Sequence, residues 1–201
     1  MEYLWIALCA YALGSSSMAL YLSLLTKKDF RDHGSGNLGT SNAVLLLGWP
    51  AGILVGIHDI GKGLAAVLLV KWLFPQTALA AVVAGTACVL GHIFPFYLKF
   101  RGGKGLATYI GVLGGLDIRV ALVLSALLIV VMIVSDYIVL GTMTTITLGP
   151  LALLFHQGWG VAVLLLAVSA VITVKHFENF RRLRNGTEPG LRGATKGKYR
   201  I

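Results

Sequence analysis

Five long stretches of this 201-residue chain contain no Asp, Glu, Lys or Arg: Tyr3–Thr26, His33–His58, Trp72–Leu98, Val120–Ser135 and Tyr137–Val174. A helix needs a run of about 20 uncharged, mostly apolar residues to cross the hydrocarbon core of a bilayer. The placement of charge therefore constrains this chain more than any motif does. Composition agrees, with 57% hydrophobic and 12% charged residues, against about a quarter charged in soluble domains. A soluble globule, a disordered chain and a collagen-like repeat are excluded. Cys9 and Cys88 lie far apart inside apolar runs, so no disulfide framework or Cys-based zinc cluster is available.

The expected fold is all-α, a polytopic membrane bundle forming a single domain over residues 1–201. Residues 1–26 carry Glu2 in place of a positively charged leader and read as a retained first helix. The last window breaks at His156-Gln157-Gly158-Trp159-Gly160 into two spans. Basic residues gather at Lys27, Lys28 and Arg31, at Lys99, Arg101 and Lys104, and from Lys175 through Arg181, Arg182, Arg184, Arg192, Lys196 and Lys198 to Arg200. These three places hold 14 of the 17 Lys and Arg, which assigns all three to the cytoplasmic side. Parity then requires an even number of crossings between them. The apolar segments 105–116, 118–135, 137–155 and 160–175 satisfy it directly. The segments 43–57, 64–74 and 77–97 satisfy it if 43–74 is one span interrupted at His58–Gly63. The expectation is about seven spans, with the N-terminus outside and the C-terminus cytoplasmic.

Two inner loops carry the chemistry. Arg31-Asp32-His33-Gly34-Ser35-Gly36-Asn37-Leu38-Gly39-Thr40-Ser41-Asn42 packs glycines with hydroxyl and amide side chains directly before an apolar span. Glycines permit positive φ, and successive N–H groups then form an anion nest reinforced by the following helix N-terminus. Such a stretch also fits a flexible turn with a helix cap at Asn42. Gly91-His92 through Arg101-Gly102-Gly103-Lys104-Gly105 places two cations around a chain that can bend close to a ligand. Beyond the last span, His176, Asn179 and Arg182 share a helical face. Asp59 and Lys62, one turn apart, can neutralise each other.

Other motifs fail. Gly56-x4-Gly61-Lys62 has Gly63 where a P-loop needs Ser or Thr, no G-x-S-x-G elbow occurs, and no histidine is followed five residues later by Asp. Paired metal-ligand spacings are missing too, so no metal and no cofactor is expected. Residue types and spacing thus reach a membrane-surface site for a phosphorylated substrate. They leave an enzyme, an organic-phosphate transporter with its site at the 58–63 break, and a lipid-binding scaffold on the basic tail all open.

The residue strings go further. Arg31–Asn42, Gly91–Thr108 and His176–Pro189, in this order, with Asp59 and Lys62-Gly63 between them, resemble the bacterial acyl-phosphate:glycerol-3-phosphate acyltransferases. These are integral membrane enzymes of phospholipid synthesis. Thr40-Ser41 departs from the Ala-Thr usual in that family.

The resemblance implies acyl transfer from a fatty acyl phosphate to the 1-hydroxyl of glycerol 3-phosphate at the inner membrane, with the site facing the cytoplasm. Membrane lipid is an expected partner and nucleic acid is not. It implies catalytic roles for Ser35, Lys104, His176 and Asn179. Ser35, Asn37 and nearby N–H groups of Gly34, Gly36 and Gly39 would hold the acyl-phosphate phosphoryl group. Arg31 and Lys104 would be counter-charges, and Thr40, Ser41 and Asn42 would add hydrogen bonds. Gly102, Gly103 and Gly105 would let the second loop close on glycerol 3-phosphate, with Arg101 and Arg182 nearby. His176 and Asn179 would orient the attacking hydroxyl, and His92 would line the site. Asp59, Lys62 and Glu178 would be structural, Glu178 as partner to a cation.

Overall fold

The computed structural model describes residues 1–76 and 78–196, so Lys198 and Arg200 lie outside the described residues. In chain order the helices are α1 (Glu2–Ser15), α2 (Met18–Thr26), α3 (Thr40–Leu47), α4 (Trp49–Leu73), α5 (Ala78–Ile93), α6 (Leu106–Leu116), α7 (Ile118–Ser135), α8 (Ile138–Gln157), α9 (Trp159–Lys175), α10 (Phe177–Arg184) and α11 (Leu191–Thr195). Among the described residues every regular element is helical, as expected for a membrane bundle in which each backbone group must be satisfied within its own segment. Among the described residues five stretches are long and apolar enough to cross a bilayer, Glu2–Thr26, Leu79–Leu98, α4, α7 and α8, and six if α9 and α10, bent by 45°, count as one. α6, with 11 residues, reaches only about 17 Å at 1.5 Å per residue.

The interruption expected at His58–Gly63 does not occur. α4 runs unbroken from Trp49 to Leu73, because Lys62 Nζ lies 2.9 Å from Asp59 Oδ1 and the pair is neutral one turn apart inside the helix. The break lies at Gly48 instead, where φ is +90° and only glycine is unstrained. Pro50 follows in the first turn of α4, where a missing N–H costs nothing. The break at Asp59 to Lys62 that the transporter reading needs is therefore absent.

The first span, expected to be one helix, is broken at Ser16-Ser17. Ser17 turns extended and caps α2 by accepting from Leu20 N at 3.2 Å. The break frees carbonyls from the helix ladder, and side chains satisfy them. Lys62 Nζ donates to Ser16 O at 2.7 Å and Tyr97 Oη donates to Ser15 O at 2.5 Å.

Helices approach closely through glycines, the contact that packs membrane helices without a hydrophobic driving force. A Cβ on Gly14 would overlap the Cys88 carbonyl, one on Gly91 the Tyr11 carbonyl, and one on Gly63 the Thr108 carbonyl. The core lies where α5, α6 and α9 meet, around Val82, Val89, Ile93, Tyr109, Leu113, Leu165 and Ile172. α7 presents Leu122, Val123, Val130 and Val134 outward, an apolar face suited to lipid.

Gly91 and His92, expected in the second loop, belong to the last turn of α5. The loop proper begins after Ile93, makes a short 3-10 turn over Phe96–Leu98, and doubles back through Lys99 and Phe100 at φ +53° and +61°.

Candidate active site

The first loop is organised by Asn42. Its side chain is fully buried; Oδ1 accepts from Ser35 N at 2.7 Å, while Nδ2 donates to Phe30 O at 2.8 Å and His33 O at 3.1 Å. Both amide hydrogens are thus committed to the loop itself. Phe30 and Leu38, also buried, pin the loop's ends. Gly34 adopts φ +61° against the Asn42 side chain. The loop ends at Gly39, which offers α3 no side-chain cap and leaves the first turn of the helix facing the site.

The second loop lies on the end of α5. Gly102 N donates to Ile93 O and Gly103 N to His92 O, both at 3.1 Å. A Cβ on Gly103 would overlap the His92 ring and lie 2.7 Å from Leu38 O of the first loop. Gly103 therefore marks the point where the two loops touch. Its neighbour Lys104 donates from Nζ to Asn179 Oδ1.

The C-terminal segment closes the arrangement. His176 is buried at the α9–α10 junction, and its Nδ1 meets Ile172 O at 2.8 Å. That contact puts the proton on Nδ1 and leaves Nε2 as an acceptor. Asn179 Nδ2 donates to Glu188 Oε1 at 2.6 Å, and Arg182 Nε to Glu188 Oε2 at 2.8 Å. Gly186, at φ +68°, turns the chain so that Glu188 returns beneath α10. Arg182 Nη2 is buried and has no hydrogen-bond partner among the described residues.

Burial lowers the Lys104 pKa to about 8, helped by the positive charge of Arg182 and opposed by Glu188. Arg31 grips Asp29, with Nη2 to Oδ2 at 2.6 Å and Nε to Oδ1 at 2.9 Å, and holds that carboxyl below its ordinary range. Asp29 takes only Nε–H and one Nη2–H, which leaves the other three of the five Arg31 N–H donors for a further anion.

Two cavities share a wall. One, of about 320 Å³, is mostly apolar, lined by Val44, Leu45, Ile60, Ile110, Leu128, Met132 and Ile138, with Gly39, Thr40, Ser41, Asp59, His92, Gly105, His176 and Asn179 toward its polar end. The other, of about 490 Å³, holds Arg31, Arg101, Lys104, Lys175 and Arg182 against the carboxylates of Asp29, Asp32 and Glu178, with Gly36 and Gly102. Ser35, Asn37 and Lys104 line both. An apolar chain and an anionic group could thus occupy adjoining spaces with a reacting bond at the junction.

The structure brings most of the expected residues to these cavities. Gly34, Asn42 and Gly103 line neither and shape the loops from behind. Gly102 and Gly103 serve close packing on α5, where a Cβ would overlap the His92 backbone or ring. The carboxylate that holds Arg182 beside the site is Glu188. Glu178 is exposed and reaches Arg181 only at 4.0 Å. Glu188 escaped sequence reasoning, although the Gly186-Thr187 turn after α10 is the local signal that the chain folds back.

Comparison with known proteins places this arrangement in context. The chain matches the family described as glycerol-3-phosphate acyltransferase over residues 4–186. It is 38% identical over 189 residues to a glycerol-3-phosphate acyltransferase of Coxiella burnetii, covering 94% of this chain and 97% of that one. It is 40% identical over 199 residues to one of Desulfovibrio desulfuricans, covering 98% and 88%. Two crystal structures of PlsY (YgiH), an integral membrane glycerol 3-phosphate acyltransferase, share the fold. The glycerol 3-phosphate form superposes with a TM-score of 0.89 at 31% identity over 95% of this chain and 96% of that one. The lysophosphatidic acid form gives 0.85 at 30% over 94% and 95%.

Proposed function

This chain belongs to the glycerol-3-phosphate acyltransferase family, and we propose that it moves a fatty acyl group from an acyl phosphate to the 1-hydroxyl of glycerol 3-phosphate. The products are lysophosphatidic acid and phosphate. Glycerol-3-phosphate acyltransferase activity in an integral membrane protein follows from the family and fold. The donor and the role of each residue are our reading.

The observation that carries it is the wall shared by the apolar and cationic cavities at Ser35, Asn37 and Lys104. An acyl phosphate has an apolar chain, a reactive carbonyl and a phosphate within a few bonds, and it fits such a junction from one side to the other. The chain lies along α3, α4, α7 and α8, entering sideways from the inner leaflet. The phosphoryl group lies against Ser35, Asn37 and Lys104.

Glycerol 3-phosphate then occupies the cationic space, its phosphate drawn to Arg182 and Arg101, with Arg31 donating from the N–H groups that Asp29 does not use. Its 1-hydroxyl oxygen attacks the acyl carbonyl carbon, the bond from that carbon to the phosphate oxygen breaks, and phosphate departs. The hydroxyl proton passes to the leaving phosphate or to His176 Nε2. A mixed anhydride needs little nucleophilic activation, so most of the catalytic work is bringing two anions together and stabilising a third charge, which preorganised donors do well. The clustered basic residues support an inner-membrane orientation with the N-terminus outside and the site toward the cytoplasm. The whole of residues 1–201 acts as one domain.

The test is phosphate release by purified protein given palmitoyl phosphate, with and without glycerol 3-phosphate. Release that requires glycerol 3-phosphate, yields lysophosphatidic acid and collapses in Ser35→Ala supports the reading. Transfer from another activated acyl group but not from the acyl phosphate overturns the donor.

A further inference from the structure

Lys62 makes more contacts than its place in the bundle requires. Its side chain is 3% exposed, and its three N–H donors go to Ser16 O at 2.7 Å, Asp59 Oδ1 at 2.9 Å and His92 Nδ1 at 2.9 Å. The first satisfies the broken first span and the second neutralises α4. Neither need accounts for the third.

The third contact fixes a ring. His92 is 5% exposed at its side chain, and its Nδ1 stands 3.5 Å from Asp59, farther than from Lys62. An ammonium has no lone pair, so Nδ1 accepts from Lys62 and the ring proton sits on Nε2. The Nε2 edge abuts Gly103, where a Cβ would overlap it, at the point where Leu38 O of the first loop also arrives. His92 therefore packs against the second loop where the first loop meets it, one residue before Lys104.

We propose that Lys62 is a positioning residue for acyl transfer, holding the His92 ring so that the two loops keep their spacing and Lys104 stays opposite Ser35 and Asn37. This rests on the acyl-transfer reading above. Lys62 touches no substrate in it. A displacement of about 1 Å at a reacting centre is enough to cost about 100-fold in rate.

The experiment compares wild type, His92→Ala, the charge-balanced pair Asp59→Asn with Lys62→Met, and all three changes together. Each is purified in detergent, checked by thermal melting, and assayed with palmitoyl phosphate and glycerol 3-phosphate. The balanced pair avoids stranding a buried charge. It is expected to melt as a folded protein yet lose more than about 10-fold in kcat. Adding His92→Ala should cost little more, because both changes release one ring. A folded pair with wild-type kcat, or losses that multiply in the triple variant, overturns the proposal. If the pair fails to fold, Lys62→Arg decides. It keeps the charge but cannot direct three convergent bonds from one atom, so wild-type kcat in that variant overturns the proposal as well. Wild type that transfers nothing from the acyl phosphate counts against the donor reading instead, and the two failures are separable.

Discussion

Lys104 and Glu188 are joined through a single amide: Lys104 Nζ donates to Asn179 Oδ1, and Asn179 Nδ2 donates to Glu188 Oε1 at 2.6 Å. Lysine only donates and an ionised carboxylate only accepts, so the amide can face one way alone. Arg182 binds the other Glu188 oxygen at 2.8 Å. One carboxylate thus aims a lysine and an arginine at the two cavities.

Replacing Glu188 is therefore expected to damage catalysis and stability together. Glu188→Ala leaves the Asn179 amide and the Arg182 guanidinium without their acceptor, at a cost of roughly 1–3 kcal/mol. It should lower the melting temperature and reduce kcat/KM by about 10-fold or more. Glu178→Gln, at the exposed surface, should change stability by no more than about 0.5 kcal/mol. Thermal melts with steady-state assays on both variants check the contrast.

The pKa of Lys104, near 8, sets an alkaline limit on activity. The cationic form serves an anionic substrate, so kcat/KM should be steady below that pKa and fall as pH rises through about 8. Stability moves the opposite way. The folded state binds this proton more weakly than the unfolded chain, so the Lys104 contribution improves with pH from about 8 to the ordinary lysine value of 10.5. Loss of rate without loss of melting temperature is the expected signature. Lys104→Arg, which stays charged, should remove the alkaline limb at a lower kcat. A limb that persists in that variant assigns it elsewhere.

Gly103 and Gly61 should respond oppositely to alanine. A Cβ on Gly103 meets the His92 ring and lies 2.7 Å from the Leu38 carbonyl, neither of which is the far end of a flexible chain, whereas one on Gly61 meets nothing within 4 Å among the described residues. Gly103→Ala is expected to cost about 100-fold in kcat/KM by forcing the loops apart. Gly61→Ala should leave rate unchanged and add up to about 1 kcal/mol of helix stability. Equal effects at both sites would contradict the packing described here.

Gly56 lines the apolar cavity, and a Cβ there would sit 3.4 Å from Thr40 Cγ2, an ordinary contact. Gly56→Leu fills that space without disturbing the cationic side. The expected outcome is a fall of about 10-fold or more in kcat/KM for hexadecanoyl phosphate relative to octanoyl phosphate, with KM for glycerol 3-phosphate held. An unchanged ratio across acyl lengths would place the chain elsewhere.

The membrane class, the all-helical fold and both loops were legible in the sequence, because an absence of charge over some twenty residues and a run of glycines beside cations are local facts. The glycine loops were located from their local pattern, and their packing was not. Gly34 and Asn42 read as ligand contacts, and the structure adds that Asn42 bonds the first loop's own backbone, while Gly103 lies where two loops distant in sequence touch. The break in the second span was expected at Asp59–Lys62, where charge enters an apolar run. It lies at Gly48 because the two charges neutralise each other within one turn, while a glycine at φ +90° before Trp49-Pro50 cannot continue a helix.

What sequence alone determined is where this chain must be buried in lipid and which three segments carry polar chemistry. Only the tertiary structure decided which polar groups satisfy one another. Lys62 reaches Ser16 across 46 residues and Lys104 reaches Asn179 across 75. A buried donor takes whatever acceptor the packed helices bring within about 3 Å. That choice depends on helix crossings and glycine contacts far along the chain, and no local pattern records it.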